Sequence, residues 1–209
     1  MLTITIMTMN KLRVIGAVAL LSASIVAQAT VIRYETVLSG AAEDPPVVSP
    51  GTGSALVTYD MLAHTLRVQI EFADLVAGTT VAHIHAPTAT PGGGNVGVAV
   101  YPGTFPGFPA GVTSGSYDHT IDLTVAGSYT GGFFNTSGGG TAAGAEVALA
   151  AALAEGRAYV NIHTSFAPGG EIRGFLSPVP DATSTGMLLF AALLGLSALA
   201  RRQQRVWNV

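Results

Sequence analysis

Three histidines carry the chemistry this sequence could do. His83 and His85 lie one residue apart in Ala82-His83-Ile84-His85-Ala86-Pro87, and His163 sits in Ala158-Tyr159-Val160-Asn161-Ile162-His163-Thr164. Side chains two apart on a strand share a face. His83 and His85 therefore project together, with Ala82 and Ile84 turned to the other side. Tyr159, Asn161 and His163 share a face in the same way, with Val160 and Ile162 opposite. Two neutral imidazoles about 7 Å apart along a strand can converge on one metal ion. A third from another strand completes a trigonal site suited to copper or zinc. The expected metal ligands are His83, His85 and His163. The competing reading makes the pair a hydrogen-bonded surface feature and leaves His163 unconnected.

Other polar residues point to structure rather than reaction. Glu171 and Arg173 read as a salt-bridge or turn-holding pair, and Glu43-Asp44 as a weaker cation site. His64, beside a turn, and His119, between Asp118 and Asp122, read as solvated. Pro168-Gly169-Gly170 reads as a tight turn needing positive φ. The chain has no cysteine, and no serine sits in a nucleophile-elbow sequence. No catalytic residue and no organic cofactor site is expected.

The elements that must position the histidines are strands. Leu66, Val68, Ile70 and Phe72 alternate with polar residues, as do Tyr117, His119, Ile121, Leu123 and Val125. Further strands are predicted over Val31 to Leu38, Gly53 to Asp60, Thr80 to Ala86, Val96 to Tyr101, Arg157 to Thr164 and Glu171 to Ser177. Ala145 to Glu155 reads as the one short helix, ended by Gly156. Gly131 to Gly144 reads as the loosest connection. About eight strands without a βαβ rhythm predict an all-β fold, a Greek-key β-sandwich of immunoglobulin-like or superoxide-dismutase-like type.

Both ends are hydrophobic with basic flanks. Lys11 and Arg13 precede an apolar run from Val14 to about Val26, and Ala27-Gln28-Ala29 is a small-x-small cleavage site. Residues 1–29 therefore read as a signal peptide, with Met9 as the expected initiator. Residues 179–209 read as a tail in which Val179-Pro180-Asp181 leads to nineteen uncharged residues, Ala182 to Ala200, and then Arg201, Arg202 and Arg205. At about 1.5 Å per residue the run is roughly 28 Å long as a helix, enough to cross a bilayer core. The arginines act as a positive-inside stop, leaving residues 30–178 outside. That middle domain carries four arginines, no lysine and eleven acidic residues, a formal balance of −7. Such a surface excludes binding nucleic acid by bulk electrostatics. Without cysteine the domain must be held by its core.

The tail resembles the PEP-CTERM sorting tails in their Val-Pro-Asp variant. That resemblance implies an exosortase-type processing protease as partner and a bacterial cell envelope as destination. The middle resembles the CHRD domain. The resemblance rests on Leu38-Ser39-Gly40-Ala41-Ala42-Glu43 with Pro45-Pro46 and Gly51-Thr52-Gly53, on the His83-His85 motif, and on Tyr159 to Thr164 followed by Pro168-Gly169-Gly170-Glu171-Ile172-Arg173-Gly174. It implies an exported envelope or matrix module that acts by binding protein or polysaccharide, without catalysis. The strand-borne His-x-His with a late His before a Gly-rich turn is also similar to copper–zinc superoxide dismutases. The second expectation is therefore a copper or zinc protein with superoxide-dismutase-like redox activity. No bridging histidine, zinc-ligand aspartate or disulfide of that kind is evident.

Overall fold

A computed structural model describes residues 31–180. The predicted signal peptide and nearly all of the predicted sorting tail, including its apolar run, lie outside the described residues. Among those described, no helix is long and apolar enough to cross a membrane.

The strands are β1 (Val31–Ser39), β2 (Thr52–Asp60), β3 (Thr65–Ala73), β4 (Thr79–His85), β5 (Val98–Val100), β6 (Gly115–Asp122), β7 (Tyr159–Thr164), β8 (Ile172–Phe175) and β9 (Ser177–Pro178). All pairings are antiparallel, in the order β5-β4-β7-β8-β1-β2-β3-β6, with β9 beside β1. The all-β expectation holds. The strands form one sheet curled into a half-barrel, where two separate sheets had been expected. Its two halves join between β1 and β8 through the pair Ser39–Arg173. That pair, with β9 added to β1, keeps the ladder continuous where a sandwich would break it.

The sheet wraps one apolar core. Leu38, Val57, Leu66, Val68 and Ile70 come from one half and Ala82, Ile84, Val160, Ile162 and Ile172 from the other. The alternation read from the sequence is what turns these residues inward. Helix α2 (Ala142–Ala154) adds Ala145, Leu149 and Leu153. It ends at Gly156, whose φ of 66° suits glycine at a helix C-terminus.

The segment expected to be loosest is ordered. Gly131–Thr136 forms a short helix, α1, capped by the Thr130 hydroxyl, which accepts from the Phe133 N–H at 3.4 Å. Thr141 caps α2, accepting from Gly144 N–H at 3.0 Å. Phe133 is buried in the core. Two threonine caps and one aromatic anchor outweigh the glycine content.

Candidate metal centre

Strand β4 pairs directly with β7, and this brings the three histidines together. The register sets Val81 opposite His163, His83 opposite Asn161 and His85 opposite Tyr159. His163 is thus the diagonal neighbour of His83 on the same face. The ring centroids are 5.6 Å apart for His83–His85, 5.1 Å for His83–His163 and 6.0 Å for His85–His163. One nitrogen from each ring lies within 4.8 Å of the others.

The hydrogen bonds decide which nitrogens are free to ligate. A carbonyl only accepts, so a ring nitrogen against one must carry the proton. His83 Nε2–H donates to Gly103 O at 2.7 Å, His85 Nδ1–H to Val96 O at 2.8 Å and His163 Nδ1–H to Pro168 O at 2.9 Å. The remaining nitrogens, His83 Nδ1, His85 Nε2 and His163 Nε2, are bare lone pairs. His85 Nε2 is buried with no hydrogen-bond partner. His83 Nδ1 and His163 Nε2 face each other at 3.3 Å with no proton to share. The trio therefore presents three unprotonated nitrogens to one another. Fixing one ring nitrogen by a carbonyl so that the other can ligate is the arrangement metal-binding histidines use.

Burial also keeps the rings ready. It lowers the pKa of all three, and His85 falls to about 4, helped by the neighbouring His83, His163 and Arg173. The uncharged form that binds metal therefore dominates at neutral pH.

Three loops cover this face and supply the carbonyls. Val96 and Gly103 come from the segments flanking β5, and Pro168 from the turn between β7 and β8. Gly103 and Gly170 adopt φ of 104° and 131°. The positive φ expected in the Pro168-Gly169-Gly170 turn is present. A Cβ on Gly170 would lie 2.5 Å from the Asn161 amide and 2.7 Å from Glu43 Oε1.

Beyond the histidines the same face continues as a polar row. Tyr159 stacks flat on His85, with centroids 4.7 Å apart and planes 2° from parallel. The Arg173 guanidinium lies over Tyr159 at 4.9 Å. The expected Glu171–Arg173 pair does not form. Glu171 accepts from Ser49 Oγ, Val76 N–H and Thr164 Oγ1 at 2.6–2.7 Å. Arg173 instead donates to Ala42 O and Asn95 Oδ1, and its Nε lies 3.8 Å from Glu43. Burial pushes the Glu43 carboxyl up to about 7 although Arg173 pulls it down. Asp44, the next residue, is exposed while Glu43 is buried beside Arg173.

The family model for the CHRD domain matches residues 34–176. The chain belongs to the CHRD family. No curated protein and no solved structure matches it. His83, His85 and His163 all lie inside the matched span.

The remaining histidines stay apart from the site. His119 is partly exposed on β6. His64 is half-exposed yet not free. Its Nδ1 lies 2.9 Å from Glu146 of α2, which also accepts from Tyr59 OH at 2.8 Å. Sequence reading missed this tether, since one glutamate in an Ala-rich helix reads as a solvated residue. It also missed the three carbonyls, because any residue can present one. The only signal was that glycine and proline cluster in the loops that carry them.

Proposed function

We propose that this CHRD domain is an exported binding module that holds one copper or zinc ion through His83 Nδ1, His85 Nε2 and His163 Nε2. One observation carries the reading. Three buried lone pairs converge, each on a ring whose other nitrogen is committed to a backbone carbonyl. With bonds of about 2.0 Å, nitrogens around one ion sit roughly 3.3–3.5 Å apart. The His83–His163 pair already stands at 3.3 Å. A bound copper ion would supply one-electron chemistry, and a bound zinc ion a Lewis acid. The protein's own part is to keep the rings neutral, orient them and exclude water.

Export to a bacterial envelope, with exosortase-type processing of the tail, belongs to the same proposal. It is supported by the layout of residues 1–29 and 179–209. An envelope protein or polysaccharide partner would meet the loops and the outer sheet face. The test is metal titration of the purified protein by chelator competition. One equivalent should bind at neutral pH. His85→Ala should weaken it by about 100-fold or more, and His119→Ala should leave it unchanged. Absence of binding to either metal would sink the reading.

A further inference from the structure

Resting on that reading, we infer that the ion this site is built to hold is monovalent copper, in preference to zinc or divalent copper. The first ground is the number of donors. Among the described residues no further His, Cys, Asp or Glu joins the three histidines. The three carbonyls that contact the rings, those of Gly103, Val96 and Pro168, are already engaged by ring N–H groups. Zinc takes four ligands, and sites with three protein ligands complete the set with water or substrate. Divalent copper favours a tetragonal arrangement. Here His83, His85 and His163 are only 6%, 8% and 8% exposed, so a fourth, water ligand would have to be sealed in with the ion.

The second ground is charge. All three ligands are neutral, and the cluster contains no anion. The cost of burying an ion grows with the square of its charge, so a divalent ion costs roughly four times as much to desolvate as a monovalent ion of equal size. Arg173 adds a positive charge one aromatic ring away from His85, through Tyr159. Glu43 stands 3.8 Å from Arg173 and offsets that charge only in part. Sulfur ligands, the usual attraction for monovalent copper, are missing. There is no cysteine, and the one methionine among the described residues, Met61, is exposed on the β2–β3 turn. Coordination number and charge therefore make the selection, with no help from ligand softness.

The experiment uses the full chain in mild detergent. Monovalent copper is titrated anaerobically, with a reductant, against a chromophoric copper(I) chelator. Zinc is titrated in parallel against a zinc indicator. Copper(I) should be held more tightly than zinc by about 100-fold, and X-ray absorption should show a three-coordinate nitrogen shell. His163→Ala should abolish both the tight binding and that shell. Zinc bound as tightly as copper(I), with a water in its shell, would overturn the inference and leave the histidine site standing. No binding of either ion would overturn the site as well.

Discussion

The two halves of the sheet treat their second face differently. Strands β2, β3 and β6 alternate, with one face in the core and the other in water, as at Arg67, Glu71 and Asp118. Strand β7 is buried at all six positions and β4 at its last four, because loops cover the face that points away from the core. In the first half a polar side chain needs no explanation. In the second, the polar side chains of β7 and of the end of β4 have left water and must be satisfied or used. Glu171 is satisfied by three hydrogen bonds. The histidines are satisfied on one nitrogen and bare on the other. Where burial is two-sided, an incomplete polar group marks function better than residue type does.

The largest effect that sharpens this contrast is in the core beneath the site. Ile162 is fully buried on the face opposite His163. Ile162→Ala should cost about 2–5 kcal/mol in chemical denaturation. Val37→Ala, at a position 74% exposed in the other half, should stay within about 0.5 kcal/mol. Similar losses at both would mean the halves are not packed as described. Next comes Gly170→Ala, which combines a φ of 131° with a Cβ that would force the Asn161 and Glu43 side chains to shift. It should cost about 1–3 kcal/mol. It should also weaken metal binding, because the same turn holds the Pro168 carbonyl against His163. Unchanged melting with unchanged affinity would show that the turn does not brace the site.

Much of this was legible in the sequence. The period-two alternation of 66–72 and 117–123 gave the one-sided strands, and same-face spacing gave His83 with His85 and His163 with Asn161. What spacing could not give was the pairing of β4 with β7 across some eighty residues, on which the whole site depends. Nor could it show that the sheet would stay continuous through Ser39–Arg173. The partners of Glu171 and Arg173 were misread because two charges at i, i+2 say nothing of what the folded chain brings against each. Ser49, Val76 and Glu43 all come from distant segments. Residues 131–144 were misread because glycine content hid the two threonine caps.

A smaller effect concerns acidity. The histidines titrate near 6.5 in the unfolded chain and lower in the fold, His85 at about 4. Over that range the unfolded chain binds more protons, so the metal-free protein should lose stability as pH falls from about 6.5 toward 4. Glu43 works the other way. Its carboxyl rises from about 4.5 to about 7 on folding, so it contributes stability at low pH that is lost as pH rises through 7. Glu43→Gln should therefore steepen the acid slope. Denaturation of both proteins at several pH values checks this. A flat profile in Glu43→Gln, where no opposing slope remains from Glu43, would mean the rings are not held neutral by burial.

The smallest expected effect lies on the watered face. Arg67 donates twice to Asp118 across β3 and β6, at 2.8 and 2.5 Å, and both side chains are about half exposed. The geometry is bidentate, and the guanidinium holds the Asp118 carboxyl below its ordinary range. Water and salt nonetheless screen an exposed pair, and ordering two long side chains offsets the attraction. Asp118→Asn should leave the melting temperature unchanged in moderate salt and leave metal binding untouched. Thr164→Val makes the contrast. It removes a hydroxyl that donates to the buried Glu171 carboxylate at 2.6 Å and leaves that oxygen short of a donor. Its melting temperature should fall clearly. The two positions carry similar hydrogen bonds, and only the covering of the second face separates them. If Asp118→Asn proved as costly as Thr164→Val, the outer face would itself be a covered surface, and a partner for it would have to be sought.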